Sequence, residues 1–442
     1  MKIAIAGTGY VGFVTAVCLA EKGHCVICVD ADKAKIDQLN KSGRALIYED
    51  GLNELMKKNS SRLSYTTDYC SAYHMADVIF ISVGTPEKKD GSADLKYVFQ
   101  VTYQIAKSLE KDCVIVVKST VPVGTNEKIE QILSDNKQEN IKTWVVSNPE
   151  FLSQGTAVRD TLQASRIVIG TEDKTAEIIM RQVYRNFDVP ILTTNRRSAE
   201  MIKYASNDFL ALKISYVNEI ANLCEKIGAD IDEVTKGMGY DERIGNKFLH
   251  AGVGYGGSCF PKDTKALQRI SCFYDHELKT IKAAIEVNAS QKYKLIKKAK
   301  QYYQSFNGLS IAVLGLTFKP GTDDLREAAS LVIIPILLED GARIKVYDPI
   351  GIDNFCRKFG KQVTYCKSIR EALQDVDLCF ILTEWPEIKA CTAKEFAELM
   401  RSPIIIDGRN CYPLDKMHYG KIVYESIGRK TVGTEGGFDH NI

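Results

Sequence analysis

Short runs of β-branched and other apolar residues alternate with amphipathic segments over the first third of the chain. Between these runs, segments such as Gly12–Lys22 and Leu95–Leu109 place apolar residues at helical spacing. Repeated βα units of this kind predict a parallel sheet covered by helices on both faces. The predicted strands are Lys2–Ala6, Cys25–Asp30, Val78–Val83, Val114–Lys118, Trp144–Ser147 and Arg166–Gly170.

The pattern changes near Ser198. From there to Gly228 apolar positions recur at helical spacing without a proline or an internal glycine, which predicts one long helix. Helical segments continue to about Ser305, and βα alternation then resumes. We therefore predict an α/β protein in which two Rossmann-like domains with doubly wound parallel sheets are joined by a central all-helical domain. The predicted domains are residues 1–197, 198–305 and 306–442, and the later strands are Ser310–Leu314, Arg343–Tyr347, Leu378–Leu382 and Ile404–Ile406.

Charge and composition narrow the class of protein. The 442 residues include 58 basic and 56 acidic side chains, and a net charge of +2 gives no reason to expect nucleic acid or a membrane surface as a partner. No apolar run approaches the roughly 20 residues that span a bilayer. The 13 cysteines are an odd number, and with no secretory signal recognised they are expected to be free thiols in a reducing cytoplasm. No metal site is expected, and the glycine-rich end after Ser426 is expected to be mobile.

A glycine motif, GTGYVG, follows the first predicted strand and opens a helix. Its glycines suit a tight turn, close approach to a pyrophosphate and close packing of helix on strand, and the helix N-terminus offers unpaired N–H groups to phosphates. The second strand ends in Asp30, where an acidic side chain binds ribose hydroxyls and repels the 2′-phosphate of NADP. The motif predicts an NAD site, with Lys35 either assisting at the ribose or facing solvent. The candidate cofactor residues are Gly7, Gly9, Tyr10, Val11, Gly12 and Asp30.

Polar turn residues follow three later strands of the first α/β domain. Thr85, Thr120 and Glu150 each stand where a predicted strand ends. Ligands of open α/β sheets collect at the carboxyl ends of strands. One such residue alone is more typical of a turn, but three consecutive strand ends of this kind indicate a site for the nicotinamide and the reaction.

A second glycine-rich segment, expected to be mobile, leads to the one cysteine in a reactive setting. Gly252–Ser258 precedes Cys259, and Pro261 suits the first turn of a helix. Cys259 is therefore predicted just before a helix N-terminus, where the helix dipole and Lys262 would stabilise a thiolate. Asp263, four residues after the cysteine, could reach back toward the same site or serve only as a first-turn acid.

Three polar residues share one face of the predicted long helix. Glu200, Lys203 and Asn207 recur at spacings of three and four. Such a stripe is usually a solvated face. A lysine and an asparagine that project together could instead bind an oxyanion or move a proton.

A nucleophilic thiol and a dinucleotide site in one chain can act together in one oxidation. One hydride transfer takes an alcohol to an aldehyde. Addition of a thiolate to that aldehyde gives a tetrahedral adduct that can lose a second hydride, and water then cleaves the resulting thioester. The combination indicates a four-electron oxidation of an alcohol to an acid with NAD.

The chain resembles the UDP-glucose/GDP-mannose dehydrogenase family over nearly its whole length. The motifs that carry the resemblance run from GTGYVG at Gly7 to IIDGRN at Ile405. So many long motifs in order are highly specific for the family. Those between the two ends are VGTP (Val83–Pro86), KSTVPVGT (Lys118–Thr125), NPEFL (Asn148–Leu152), EMIKYASN (Glu200–Asn207), RIGNKFL (Arg243–Leu249), GGSCFPKD (Gly256–Asp263) and FKPGTDDLRE (Phe318–Glu327).

The resemblance implies roles at the matching positions. Cys259 would carry the thiohemiacetal and the thioester, while Lys203 and Asn207 would stabilise the oxyanion. Arg243 would reach the substrate from the partner subunit of a homodimer built on the central helices. The water and protons would be handled by Thr120, Glu150 and Asp263. The NAD would also contact Lys35, Thr85, Thr120, Glu150, Lys262 and Arg326. The UDP-sugar would be bound by Glu150, Phe151, Leu152, Lys203, Asn207, Arg243, Phe248 and the loop to Gly256, and by Phe318, Lys319 and Arg409.

The implied reaction is oxidation of UDP-glucose at C6 to UDP-glucuronate. GDP-mannose or UDP-N-acetylmannosamine stays open as the substrate, although the versions RIGNKFL and FKPGTDDLRE favour UDP-glucose. The sequence departs from the family at Gln154, where an acidic residue near the substrate is common, and at Asp50 and Ala329, where proline is common.

Two other classes of protein share part of this pattern. A short-chain dehydrogenase would use a YxxxK pair, and Tyr103–Lys107 and Tyr293–Lys297 both have that spacing. The first pair falls on a helix too early for that fold, and the second falls outside the first α/β domain. A non-catalytic NAD-sensing module would have no use for a thiol after a glycine loop.

Overall fold

The computed structural model describes residues 1–433, and the chain divides into two compact units. Unit 1 comprises Met1–Ser206 and Lys265–Asp275, and unit 2 comprises Asn207–Thr264 and the chain from His276 onward. The chain passes from one unit to the other after residues 206, 264 and 275. The predicted boundaries of three separate domains therefore stay a prediction.

The described part of unit 1 is built on an eight-stranded sheet in the order β3-β2-β1-β4-β5-β6-β7-β8. All neighbours pair in parallel except β6 and β7, which meet in an antiparallel contact between Ser147 and Gly170. The central strands are buried along their length, as expected of a sheet covered on both faces. The strands are β1 Lys2–Ala6, β2 Cys25–Val29, β3 Leu63–Thr66, β4 Val78–Ile81, β5 Cys113–Val117, β6 Thr143–Ser147, β7 Ile167–Gly170 and β8 Ile191–Thr194.

Helices connect these strands and cover both faces of the sheet. Their apolar sides pack with the strands into buried clusters, one of which sets α1 against Leu39, Leu52 and Met56. A 3-10 turn at Ser60–Arg62 precedes β3. The helices are α1 Tyr10–Glu21, α2 Lys33–Ser42, α3 Leu52–Lys58, α4 Tyr69–His74, α5 Lys96–Ser108, α6 Thr125–Asn136, α7 Ala157–Leu162 and α8 Lys174–Val183.

The described part of unit 2 is built on a six-stranded sheet in the order β11-β10-β9-β12-β13-β14, with every pair parallel. This order repeats that of the first six strands of unit 1, and in both sheets the chain reverses its direction of winding after the central strand. The strands are β9 Ser310–Leu314, β10 Arg343–Tyr347, β11 Thr364–Tyr365, β12 Leu378–Ile381, β13 Ile404–Asp407 and β14 Val423–Glu425.

The long predicted helix is confirmed as α9, Arg196–Ile227. Within unit 2, its residues Val217, Ala221 and Cys224 share one buried cluster with Ile311 and Val313 of β9, so the helices of this unit and its sheet have a common core. The remaining helices are α10 Ile231–Gly239, α11 Phe260–Phe273, α12 Lys279–Gln291, α13 Lys294–Ala299, α14 Ser330–Glu339, α15 Ile352–Phe359, α16 Ile369–Leu373, α17 Pro386–Lys389 and α18 Ala393–Leu399, with a 3-10 turn at Leu414–Met417.

The predicted α/β class and all ten predicted strands are confirmed, and four further strands were missed. The missed strands lie at sheet edges: β3, β8 and β11 are only partly buried, and β14 has three residues. Short edge strands carry a weak hydrophobic signal, because one side of the backbone faces solvent.

The prediction of a mobile end after Ser426 is wrong for the part that the structure describes. Ser426, Ile427 and Arg429 are buried, and Val432 forms a bridge with Tyr424. The rest of that prediction falls on residues 434–442, outside the described residues.

Candidate active site

The glycine motif after β1 forms the cradle that a dinucleotide needs. Gly7 has φ of +95°, and an added Cβ would lie 2.8 Å from the Ser82 carbonyl oxygen. At Gly12 a Cβ would lie 2.0 Å from the Gly7 carbonyl oxygen, so α1 packs closely on the turn. Gly9 precedes α1 without a side-chain cap, and a Cβ there would meet nothing within 4 Å. The first N–H groups of α1 are therefore open to a pyrophosphate, and these residues fit NAD.

Asp30 follows β2 and closes this cradle. Its carboxylate accepts hydrogen bonds from the Thr8 backbone N–H at 2.9 Å and the Thr8 hydroxyl at 2.6 Å, and it lies 3.2 Å from Lys35 Nζ. Burial raises the pKa of this carboxyl, but the hydrogen bonds from Thr8 and the charge of Lys35 outweigh burial, so the pKa lies below its ordinary value. An ionised carboxylate at this strand end suits ribose hydroxyls and repels a 2′-phosphate.

The side chain of Tyr10 is engaged within unit 1. Its hydroxyl bonds to Glu49 and accepts a hydrogen bond from Gly155 N–H at 3.0 Å. Glu49 is buried and also accepts from the N–H groups of Gly155 and Ala157 at 2.8 and 2.6 Å. Tyr10 and Val11 would therefore meet a dinucleotide through the backbone of the first helical turn. Sequence reasoning missed Glu49, since a buried carboxylate in a loop leaves no periodic pattern.

The loops after β4 and β5 are joined by two of the predicted residues. Thr85 is buried, and its hydroxyl donates to the Thr120 carbonyl oxygen at 2.9 Å. Ser119 reinforces this link, because its hydroxyl donates to the Val83 carbonyl oxygen at 2.7 Å. The structure therefore brings Thr85 and Thr120 together at the carboxyl edge of the sheet.

Glu150, after β6, forms a buried ion pair with Lys203 of α9, and the Nζ and Oε1 atoms are 2.8 Å apart. Its other carboxylate oxygen accepts from Leu152 N–H at 2.8 Å. Burial raises the pKa of Glu150, but the charges of Lys203 and, less strongly, Lys118 outweigh burial, so the pKa lies below its ordinary value. Beside the pair, the Phe151 ring has Lys203 Nζ 5.5 Å from its centroid. These residues form a buried, charged group.

The interpretation of the α9 stripe as a solvated face is wrong, because Glu200, Lys203 and Asn207 are all buried. Glu200 accepts hydrogen bonds from the N–H groups of Gly124 and Asn126, at 2.7 and 3.0 Å, where α6 begins. A carboxylate in this position satisfies unpaired N–H groups and the positive end of the helix dipole. Glu200 is therefore structural. Lys203, in contrast, pairs with Glu150, and Asn207 donates a hydrogen bond to Asp263.

In unit 2, the glycine-rich segment before Cys259 is not a free loop. Gly252 N–H donates to Asn218 Oδ1 at 2.8 Å, and Tyr255 N–H donates to Asn288 Oδ1 at 2.7 Å. Gly254 has φ of +92°, and a Cβ there would lie 2.4 Å from Asn288 Oδ1. Residues 251–255 are buried, so the predicted mobility is wrong. The glycines allow close packing on neighbouring side chains.

Cys259 lies immediately before α11, as predicted, and is half-buried. Its carbonyl oxygen accepts from Asp263 N–H at 2.8 Å. The Asp263 side chain is fully buried and accepts from Asn207 Nδ2 at 2.7 Å. The structure therefore places Asn207, Cys259 and Asp263 in one group at the start of α11, which a first-turn acid facing solvent would not do.

Two cations, Lys262 and Arg326, lie near this group. Lys262 pairs with the Asp263 carboxylate, and its effect on the thiol stays a prediction. The carbonyl oxygen of Arg326 accepts a hydrogen bond from Gly257 N–H at 2.8 Å. Burial lowers the pKa of Arg326, but the hydrogen bond and charge of Asp324 outweigh burial, and Cys259 adds to the upward shift. Arg326 therefore lies near enough to Cys259 for the two groups to interact electrostatically.

Sequence reasoning missed a second carboxyl in this group. Asp208 is buried, and among the described residues neither of its oxygens has a hydrogen-bond partner. Burial and the charge of Asp263 raise its pKa to about 8. Asp208 is therefore mostly protonated at neutral pH.

A closed cleft in unit 2, which leaves no room for a water molecule, gathers several residues predicted for the UDP-sugar. Gly256, Phe318 and Arg409 line it, together with Lys292 and Glu327, which sequence reasoning missed. Arg409 Nη2 donates to the Phe318 carbonyl oxygen at 2.9 Å. Lys292 is buried, and its Nζ donates to the Glu327 carbonyl oxygen at 3.0 Å. Ala329, which stands where proline is common, also lines this cleft.

The remaining predicted substrate residues lie on the surface of unit 2. The Arg243 side chain is 89% exposed and pairs with the neighbouring Asp241 at 2.6 Å. Phe248 is exposed and has φ of +64°, a strained conformation for a residue with a side chain. Lys319 Nζ lies 5.7 Å from the centre of the Phe318 ring.

The rival short-chain dehydrogenase finds no support. In both YxxxK pairs, Tyr103–Lys107 and Tyr293–Lys297, the tyrosine and the lysine are exposed, and Tyr293 lies in a turn before its helix. Among residues 1–433, no group of three or more histidine, cysteine or acidic side chains is arranged to hold a metal ion. In the same part of the chain, none of the helices combines the length and apolarity that crossing a bilayer requires.

The fold and these groups define a Rossmann-type dehydrogenase that carries a cysteine at a helix N-terminus. The chain belongs to the UDP-glucose/GDP-mannose dehydrogenase family. It matches the family's NAD binding domain over residues 1–188, its central domain over residues 197–290 and its UDP binding domain over residues 312–414.

Known relatives cover nearly the whole chain. UDP-glucose 6-dehydrogenase YwqF of Bacillus subtilis (strain 168) is 48% identical over 438 residues, which cover 99% of each sequence. The structure of a UDP-glucose dehydrogenase from Pyrobaculum islandicum is 37% identical with a TM-score of 0.91, covering 97% of this chain and 98% of that one. A UDP-D-ManNAc dehydrogenase from Pyrococcus horikoshii is 28% identical with a TM-score of 0.85, covering 97% and 99%.

Proposed function

We propose that this chain catalyses the NAD-dependent oxidation of UDP-glucose at C6 to UDP-glucuronate. The observation that carries the proposal is the group at the start of α11, where Asn207 and Asp263 are hydrogen-bonded beside Cys259. The higher identity to UDP-glucose dehydrogenases, 48% and 37% against 28% for the UDP-D-ManNAc enzyme, supports UDP-glucose over the alternative sugars.

In the proposed reaction, NAD supplies a hydride acceptor for each of two oxidations. The first converts the C6 alcohol to an aldehyde, with release of a proton. Cys259 Sγ then forms a bond to C6, and the resulting thiohemiacetal loses the second hydride to become a thioester. Water breaks the carbon–sulfur bond, which yields the carboxylate and returns the thiol. In sum, UDP-glucose, two NAD⁺ and water give UDP-glucuronate, two NADH and three protons.

The proposed roles of neighbouring residues follow from their contacts. Asn207 donates one amide N–H to Asp263, and an amide has a second N–H that can stabilise an oxyanion. Lys203 would supply a positive charge for the same purpose. Glu150 is kept ionised by Lys203, so it can accept a proton, while Asp263 and Thr120 would order the attacking water.

Most of the proposed NAD contacts lie in unit 1, and most of the proposed UDP-sugar contacts lie in unit 2. The glycine cradle with Asp30 and the loops of Thr85 and Thr120 would hold NAD, with Lys35, Lys262 and Arg326 as further contacts. In unit 2, the basic side chains of Lys319 and Arg409 and the ring of Phe318 would contact the uridine diphosphate. The UDP-sugar would be held by Phe151, Leu152, Arg243, Phe248, Gly256, Phe318, Lys319 and Arg409.

The test is an assay with a panel of UDP-glucose, GDP-mannose and UDP-N-acetylmannosamine, each with NAD. UDP-glucose should release two NADH per acid formed, since the thioester carries both oxidations. Cys259→Ala should abolish acid formation while NAD and UDP-glucose still bind, and Cys259→Ser should also fall, because a serine is a far poorer nucleophile at neutral pH.

The control is Cys272→Ala, which removes an exposed thiol from the same helix and should keep normal activity. One NADH per turnover with an aldehyde as the final product, or near-normal rates in Cys259→Ala, would contradict the mechanism. Preference for another sugar would contradict the substrate.

The proposal includes a homodimer in which α9 packs against a second copy. Phe209, Tyr216 and Leu223 recur every seven residues on α9 and are exposed, at 61%, 49% and 50%. Apolar residues at this spacing form a stripe that a second helix can cover. The exposed Arg243 would reach the substrate of the partner. We also place the protein in the cytoplasm, a location supported by 13 free cysteines.

Subunit mixing tests the shared site. Arg243→Ala should weaken UDP-glucose binding by about 1.5–3 kcal/mol, the usual contribution of a hydrogen bond to a charged group. Mixing Arg243→Ala chains with Cys259→Ala chains under subunit exchange should restore activity, since a heterodimer contains one site with both residues intact. If two inactive proteins recover nothing on mixing, Arg243 acts within its own chain.

A further inference from the structure

Lys118, which follows β5, is a buried lysine with no role in the proposed reaction. Its Nζ donates to the carbonyl oxygen of Asn148 at 3.4 Å and to Asn148 Oδ1 at 3.2 Å. Asn148 begins the turn that carries Glu150 after β6. Lys118 therefore links the strand end that precedes Thr120 to the strand end that precedes Glu150.

The contacts of Asn148 do not require a charge at Lys118. The Tyr184 hydroxyl donates to the same Oδ1 atom at 2.5 Å, and Asn148 Nδ2 donates to the Val168 carbonyl oxygen at 2.8 Å. The side chain of Asn148 is thus already bonded by neutral groups. A buried ammonium costs far more desolvation energy than a neutral donor, so its presence points to a need for positive charge.

The groups that sense Lys118 are Glu150, Lys203 and Cys18. Burial lowers the pKa of Lys118 to about 8, with Lys203 acting in the same direction and Glu150 and Cys18 in the opposite direction. Burial raises the pKa of the Cys18 thiol to about 12, so this group is neutral. At neutral pH, Lys118 and Lys203 are two positive charges around one carboxylate.

We propose that Lys118 is a positioning residue that acts through Glu150, holding this carboxylate ionised when Lys203 turns to the substrate. The inference rests on the proposed function, in which Lys203 stabilises an oxyanion. When Lys203 interacts with that oxyanion, it stabilises the ionised form of Glu150 less. Lys118 does not turn to the oxyanion in this way, because it is hydrogen-bonded to Asn148.

The experiment measures kcat for UDP-glucose oxidation against pH in the full-length protein. Lys118→Met removes the charge and keeps a side chain of similar length. In this variant, the acid limb of the plot of kcat against pH should move to higher pH, because Glu150 then protonates more readily. The value of kcat at about pH 6 should fall roughly threefold or more relative to kcat at about pH 8. Tyr184→Phe is the matched control, since it removes a neutral hydrogen bond from the same Asn148 oxygen and should leave the limb in place.

A second comparison tests whether the effect passes through Glu150. In a Glu150→Gln background, Lys118→Met should produce no further shift of the limb. A shift of equal size in Lys118→Met and Tyr184→Phe would make Lys118 a tether of Asn148 and overturn the proposal. An unmoved limb in Lys118→Met, or a limb unaffected by Glu150→Gln, would overturn it as well.

The fold is checked by thermal unfolding, and Lys118→Gln is a second variant that keeps a neutral donor. If neither variant folds, Lys118 is required for stability, and the proposal is overturned. Wild-type protein that does not oxidise UDP-glucose would refute the proposed function itself. Wild-type activity with an unmoved limb in the variants refutes only the role of Lys118.

Discussion

The sheets of unit 1 and unit 2 have the same central strand order, yet their first strands end differently. In unit 1, β1 is followed at once by the glycine motif and α1, which begins at Tyr10. In unit 2, β9 ends at Leu314, and the next helix, α14, begins only at Ser330. The helix N-terminus that suits a pyrophosphate is thus present directly after the first strand of one sheet and absent there in the other.

The aspartates after the second strand show the same contrast. Asp30, after β2, is partly exposed and bonds to Thr8 and Lys35. Asp348, after β10, is buried and accepts from Leu316 N–H at 2.7 Å, Gly351 N–H at 2.6 Å and Trp385 Nε1 at 3.0 Å. Matching positions therefore serve different purposes. Asp30 stays accessible to a ligand, whereas Asp348 holds the turns of its own sheet.

The largest expected effect is from Asp348→Ala. The substitution leaves several buried donors without an acceptor, and each costs about 1–3 kcal/mol, so unfolding free energy should fall by about 3 kcal/mol or more. Denaturant unfolding measures this loss. Asp348→Asn should be milder, because the amide keeps one acceptor oxygen. A loss no greater than that of Asp30→Ala would contradict the structural role.

A pair of glycine substitutions separates folding from binding. Gly315, after β9, has φ of +86°, and a Cβ would lie 2.6 Å from the Thr383 backbone nitrogen, so Gly315→Ala should cost about 1–3 kcal/mol of stability. Gly9 has φ of −65° and open space around it, so Gly9→Ala should change stability by less than about 1 kcal/mol. NAD titration should nevertheless show roughly tenfold or greater weakening in Gly9→Ala, because its methyl group occupies the approach of the pyrophosphate. Unchanged NAD binding would remove Gly9 from the cofactor site.

Asp30→Ala should cost about 1 kcal/mol of fold stability at neutral pH, less than Asp348→Ala or Gly315→Ala. Because the pKa of Asp30 is lowered in the folded protein, its stabilising effect is present above the unfolded pKa of about 3.9 and is lost as pH falls through the folded value. The difference in unfolding free energy between wild type and variant should therefore shrink on acidification. A difference that grows toward low pH would give the opposite sign.

The same substitution tests the choice of cofactor. Wild type should prefer NAD over NADP, and Asp30→Ala should weaken NAD binding and narrow the preference, because the carboxylate that repels a 2′-phosphate is gone. Steady-state kinetics with both cofactors measures the ratio. Equal use of NAD and NADP by the wild type would show that Asp30 does not face the ribose.

Local features of the sequence were enough to predict much of the fold and part of the candidate site. Alternation of apolar runs and helical segments predicted ten of the strands and the long helix α9, because these signals arise within neighbouring residues. The glycine motif with Asp30 and the position of Cys259 before α11 were predictable for the same reason. A strand, a turn and a helix start that adjoin in sequence also adjoin in space.

Only the tertiary structure decided which partners the polar residues take. Glu200 shares a helical stripe with Lys203, yet it binds the start of α6, 74 or more residues earlier in the chain. Lys262 pairs with Asp263, and Asn288 holds the glycine-rich segment that we expected to be mobile. Periodicity predicts which side of a helix or strand is buried. It does not identify the residues that pack against that side. Hydrogen-bond partners distant in sequence, such as Lys118 and Asn148, are therefore set by packing of the sheet and its helices.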